Sequence, residues 1–162
     1  MIILGIDPGL AKTGWGVVEA QSQKFKLLAY GVINTEKDLP LVERIFTIVK
    51  TVEGLIQKYN PSEVSIEDIY FLKNVSSAIP IAKVIGAIGA AAMNCELSVR
   101  TFTPLQIKIA LTGVGRAEKH QVQEMVKLIL SLKVIPRPDH AADALAAGIC
   151  YYNHSISNQR IQ

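Results

Sequence analysis

The chain has 162 residues, 49% of them hydrophobic and 19% charged, with 17 Lys and Arg against 14 Asp and Glu. That length suits one domain with a buried core, and the composition excludes a disordered, collagen-like or low-complexity chain. The net charge of +3 permits nucleic-acid binding without demanding it. The longest strongly apolar stretch, Val84 to Met93, is far short of the roughly 20 residues that a membrane span needs. The N-terminus has no basic leader, and Asp7 interrupts any signal core, so a soluble cytoplasmic protein is expected.

Ile2 to Ile6 is a β-branched run typical of a strand buried on both faces, ended by the turn residues Asp7-Pro8-Gly9. Strands are expected at Gly14 to Ala20 and Phe25 to Asn34, completing an antiparallel meander. From Leu41 the period becomes helical, with Ile45, Ile48, Val52 and Ile56 on one face, until Asn60-Pro61-Ser62 stops the helix. Val64-Ser65-Ile66-Glu67 alternates with period two, so Glu67 points away from the apolar face of Val64 and Ile66. Ser76 to Asn94 reads as a small-residue helix and Leu97 to Thr103 as a strand.

Thr103-Pro104 looks like an N-cap with proline in the first turn of a short helix through Ala110. Thr112-Gly113-Val114-Gly115 is a loop, and Val122, Met125, Val126, Ile129 and Leu130 mark the next helix. Pro136-Arg137-Pro138 breaks the chain before an Ala-rich helix, Asp139 to Cys150. Tyr151 to Gln162 is read as a fraying tail, with the domain itself spanning 1–153 and a polar, flexible segment at 154–162. Cys95 and Cys150 fall in apolar, helical-looking segments and read as buried free thiols, a disulfide or metal pair being the alternative. The whole is an α/β domain, a five-stranded mixed sheet with helices on both faces.

Two carboxylates stand at carboxyl ends of apolar strands, Asp7 and Glu67. If those strands are parallel neighbours, both acids open into one crevice at the topological switch point. Two acids there need a shared proton or a cation, and oxygen ligands without cysteine suit Mg²⁺ or Mn²⁺. His140 and Asp143, three apart, share a helix face among small alanines that allow close approach to the sheet. Each residue alone has a plainer reading. Asp7 caps a turn, Glu67 is an exposed strand-end acid, His140 is structural, and Asp139 is a helix N-terminal acid.

In order along the chain stand Leu4-Gly5-Ile6-Asp7-Pro8-Gly9, Thr13-Gly14-Trp15-Gly16, Ile66-Glu67, Gly113-Val114-Gly115-Arg116-Ala117-Glu118-Lys119 and His140-Ala141-Ala142-Asp143-Ala144-Leu145-Ala146. This set resembles the RuvC family of Holliday-junction resolvases, the crossover junction endodeoxyribonucleases. The resemblance implies a ribonuclease H-like fold and a metal site of Asp7, Glu67 and Asp143. A fourth position falls on His140, where many members carry an acid, and Asp139 is the neighbouring stand-in. It implies two Mg²⁺ ions, with Mn²⁺ a plausible substitute, and nicks with 5′-phosphate and 3′-hydroxyl ends. His140 is a ligand or a positioner of water.

The resemblance also places DNA at Tyr70, an aromatic of the inserted kind, with Phe71 its neighbour, and at Lys108 and Lys119 near the scissile phosphate. Lys73 and Arg116 add local charge, and the N–H groups of Gly113, Gly115 and the following helix start suit a phosphate. Core aromatics and solvated lysines are the plainer alternatives. A homodimer through the Ser76 to Asn94 helix matches the two-fold symmetry of a four-way junction, and RuvA and RuvB are the implied partners. Rival readings are an actin-like nucleotide-binding module, a nuclease for RNA–DNA hybrids or transposon ends, and a non-catalytic junction binder.

Overall fold

A computed structural model describes residues 1–69 and 75–159. Its sheet runs in the order β3-β2-β1-β4-β5. The first three strands, β1 (Ile2–Asp7), β2 (Lys12–Gln21) and β3 (Lys24–Asn34), form the expected antiparallel meander. Helix α1 (Leu41–Tyr59) buries Ile48, Val52 and Ile56 at helical spacing and ends on Asn60 in the left-handed conformation. It delivers the chain to β4 (Glu63–Glu67), which pairs parallel to β1. Helix α2 (Val75–Asn94) leads to β5 (Ser98–Phe102), parallel to β4. Three helices complete the chain: α3 (Pro104–Thr112), α4 (Lys119–Ile129) and α5 (Asp139–Gln159).

The period-two rule sorts the strands onto two apolar layers. Leu4, Ile6, Val17, Val64 and Ile66 pack on the face covered by α1 and α2, with Ile48, Val52, Val84 and Ile88. Ile3 and Val18 face the other way, into a core shared with α3, α4 and α5. Asp7 has the parity of Ile3 and Gly5, and Glu67 that of Ser65, so both acids belong to the face on which α5 lies. Helix α5 sits unusually close to that face. A Cβ on Gly5 would fall 2.0 Å from the Ala144 carbonyl oxygen, and one on Gly16 2.5 Å from Leu145 Cδ2. The buried Ser65 hydroxyl donates to the Ala147 carbonyl at 2.6 Å, tying β4 to α5.

Local signals hold at α3, where Thr103 caps the helix with a reciprocal Gln106 bond and Pro104 opens its first turn. Two expectations are corrected. The chain does not begin to fray at Tyr151: α5 continues to Gln159, so a boundary at 153 falls inside a helix. Tyr151 and Tyr152 are buried in the core, Ile156 packs against it, and the His154 ring lies 5.0 Å from Phe102. Those apolar contacts, invisible in a polar-looking tail, hold the extra turns in place. Cys95 is not a buried helical thiol but an exposed residue in the turn after α2; Cys150 is buried, and desolvation pushes its thiol up to about 12. Among the described residues no helix is long and apolar enough to cross a membrane.

Candidate metal centre and its cleft

Asp7 ends β1 beside the carboxyl end of β4, at the point where the sheet changes from antiparallel to parallel pairing. The turn behind it is braced by Thr13, fully buried, whose hydroxyl donates to the Gly9 carbonyl at 2.6 Å. Across from Asp7, the first turn of α5 approaches β2 at Gly14, where a Cβ would lie 1.9 Å from the His140 carbonyl oxygen. Only glycine permits that contact. The outcome is that His140 Nδ1 sits 2.7 Å from Asp7 Oδ2. Ligand atoms of Asp7, His140 and Asp143 all lie within 4.8 Å of one another.

Glu67 stands beside this trio rather than inside it. With Asp143 it lines a cleft of about 260 Å³, together with Lys108, Lys119, Pro104, Ile107, Val122 and Ala146. Burial first, and then the charges of Asp7 and Asp143, push Glu67 up to about 8. Burial also raises Asp7, opposed by its His140 hydrogen bond and reinforced by Asp143. Lys119 reaches in from the start of α4 to donate to Asp143 Oδ2 at 2.7 Å, with Asp139 at 3.8 Å. Partial burial pulls the Lys119 ammonium down, but the bond and charge of Asp143 outweigh it, so the net shift is upward.

The donor set fits a divalent cation. Three carboxylates crowd one partly buried space; burial first, reinforced by the charge of Asp143 on both and of Asp7 on Glu67, raises Asp7 and Glu67 above their ordinary values. A cation removes both penalties. Oxygen ligands with one imidazole and no thiolate suit Mg²⁺ or Mn²⁺ better than structural zinc.

The remaining sequence-derived residues divide. Lys108 reaches the cleft with Lys119, and its charge opposes the upward shift of Glu67. Arg116 does not line that cleft; it is exposed on a separate depression of about 540 Å³ with His120 and Met125. Tyr70, Phe71 and Lys73 lie outside the described residues. Asp139 is not one of the convergent trio; its carboxylate pairs with Arg137 and lies 3.8 Å from Lys119. The Gly113 N–H is not available to a phosphate, since it caps α3 by donating to the Ile109 carbonyl at 2.9 Å in a left-handed conformation. What sequence reasoning missed is Gly14 as the contact that seats α5; its signal was a glycine inside the Thr13-Gly14-Trp15-Gly16 motif, which was read for its resemblance and not for close packing. A groove of about 1000 Å³ between the β2–β3 hairpin and the far end of α5 is lined by no carboxylate among the described residues.

Convergent acids at the switch point of this mixed sheet, covered by a closely packed last helix, define a ribonuclease H-like nuclease. The family described as Crossover junction endodeoxyribonuclease RuvC matches residues 3–151. A RuvC from Halothermothrix orenii is 44% identical over 160 residues, covering 99% of this chain and 97% of that protein. The Thermus thermophilus RuvC structure superposes with a TM-score of 0.91 at 34% identity, covering 98% of this chain and 97% of the other. T. thermophilus RuvC in complex with its Holliday junction substrate gives 0.93 at the same identity, covering 98% and 96%. The chain belongs to the RuvC family of crossover junction endodeoxyribonucleases, which are metal-dependent nucleases.

Proposed function

We propose that this endonuclease resolves four-way DNA junctions by two symmetric nicks, each leaving 5′-phosphate and 3′-hydroxyl ends. The observation that carries the reading is the meeting of Asp7, His140 and Asp143 ligand atoms within 4.8 Å, beside Glu67. Asp7, Glu67, His140 and Asp143 would hold two Mg²⁺, with Mn²⁺ a substitute. Bound ions of this kind lower the pKa of water and offset charge on the departing 3′ oxygen.

The chain supplies the rest. Asp7, bonded to His140 and close enough to Glu67 to raise it by charge, would hold the metal together with the other three residues. Its hydrogen bond fixes the His140 ring through Nδ1. A donating Nδ1 leaves the other ring nitrogen with a lone pair, free to ligate or to take a proton from the attacking water. Lys108 and Lys119 line the same cleft and offset the charge of a phosphate entering it. The segment carrying Tyr70, Phe71 and Lys73 follows Glu67 directly, so its aromatics and lysine are assigned to stacking and phosphate contact at the junction. Arg116 adds a more peripheral contact from outside the cleft.

Two nicks related by two-fold symmetry call for a symmetric dimer. Helix α2 buries Val84, Ile88 and Ala92 against its own sheet while leaving Ile79 51% and Met93 68% exposed, with the small residues Ala82, Gly86 and Ala90 and one charge, Lys83, between them. That outer stripe, apolar but for Lys83, supports a homodimer face. Cooperation with RuvA and RuvB and action in the cytoplasm complete the proposal.

The test is incubation of a synthetic mobile four-way junction with the protein and Mg²⁺ or Mn²⁺. Paired symmetric incisions, lost in Asp7→Asn while junction binding persists, support the reading. Equal cutting of linear duplex or RNA–DNA hybrid, or cleavage retained by Asp7→Asn, overturns it.

A further inference from the structure

Lys119 and Lys108 share one cleft, yet they behave differently. Lys119 donates a short charge-assisted bond to Asp143 and has Asp139 at 3.8 Å. Lys108 makes no ion pair among the described residues, although it faces the same acids. The bond from Lys119 links two residues 24 positions apart, on different helices, so it is built by the fold and is not a neighbouring surface pair. Its acceptor is one of the three residues whose ligand atoms converge. A carboxylate lone pair engaged by an ammonium is not open to a divalent ion, and the ammonium itself repels one.

We infer that Lys119 is the internal counter-cation of the metal-free site: it holds Asp143 until a divalent ion displaces it, and the freed ammonium then engages the DNA backbone. This rests on the metal site proposed above. The Lys119 side chain is 53% exposed, so it leaves Asp143 without carrying its charge through an apolar region. Asp139, already bonded to Arg137, gives the ammonium a second anchor on the way out. A reciprocal coupling follows. A backbone phosphate that draws Lys119 from Asp143 favours metal binding, and metal binding favours the phosphate by the same factor.

Mn²⁺ binding to the DNA-free full chain, followed by the electron paramagnetic resonance signal of the free ion at about 0.1 M salt, tests the inference. Lys119→Met is expected to bind Mn²⁺ about fivefold tighter than wild type, the scale set by losing a partly exposed ion pair. Lys119→Arg, which keeps the cation, should stay near wild type, and Lys108→Met should change by less than about twofold. Adding a junction oligonucleotide should tighten Mn²⁺ binding in wild type more than in Lys119→Met. The inference is overturned if Lys119→Met binds no tighter than wild type, or if Lys108→Met tightens binding equally, which would reduce the effect to general charge. Mn²⁺ binding unaffected by Asp7→Asn would instead remove the metal site itself, a separate and recognisable failure.

Discussion

Replacing Gly14 by alanine tests how closely the last helix must approach the sheet. The new methyl would sit 1.9 Å from the His140 carbonyl oxygen, 2.4 Å from its carbonyl carbon and 3.0 Å from its Cβ. Backbone atoms cannot rotate aside as a side chain can, so β2 and the first turn of α5 must part by about 1 Å. Overpacking of this kind costs about 1–3 kcal/mol, or about 3–10 °C in Tm for a domain of this size. The same displacement moves His140 and Asp143 relative to Asp7, and a shift of about 1 Å at a reacting centre costs on the order of 10²-fold in rate. Two controls isolate the cause. Gly16→Ala meets the movable Leu145 side chain at 2.5 Å, and Gly54→Ala, in mid-helix, meets nothing within 4 Å. The first should be milder than Gly14→Ala and keep cleavage; the second should stabilise by about 0.5–1 kcal/mol. Melting by circular dichroism and single-turnover junction cleavage read the two effects. Gly14→Ala that melts and cleaves like Gly54→Ala would refute the argument.

Other consequences follow from the same contacts. Glu67 holds its proton to about 8 in the folded chain but to only about 4.5 when unfolded, so metal-free stability should fall as pH rises through that window. Asp7, also raised, acts with the same sign, and the raised Lys119 contributes nothing there because it stays protonated in both states. Glu67→Gln should therefore flatten the decline of Tm between pH 5 and 8; a wild-type Tm that rises with pH contradicts the assignment. Truncation after Asn153 removes Ile156 and the His154–Phe102 contact. It should cost about 1–2 kcal/mol, or about 4 °C, while leaving cleavage at room temperature intact. Ser65→Ala deletes the buried bond to the Ala147 carbonyl and should lower stability by about 1 kcal/mol, measured by urea denaturation.

The strands and helices, their order and the capping of α3 were legible because each depends on neighbours within a few residues. Apolar period two marks β4, period 3.6 marks α1, and Thr103-Pro104 carries its own helix start. The alternation that turns Glu67 away from Val64 and Ile66 was equally readable, and with it the idea of two acids meeting at a crevice.

What distance in the chain conceals is contact. Nothing near Gly5 or Gly14 states that residues 144 and 140 will press against them, yet those contacts set the gap that brings His140 to Asp7. Nothing in the polar run after Cys150 shows that Tyr151, Tyr152 and Ile156 find an apolar layer to cover, so the helix outlasts its apparent end. The same is true of Lys119, whose partner on another helix no periodicity could single out, and of the Gly113 N–H, which closes α3 and so cannot hold a phosphate. Side-chain chemistry and local geometry are written residue by residue; which groups share a space is set by how sheet and helices pack, and that packing is what brings Asp7, His140 and Asp143 together beside Glu67.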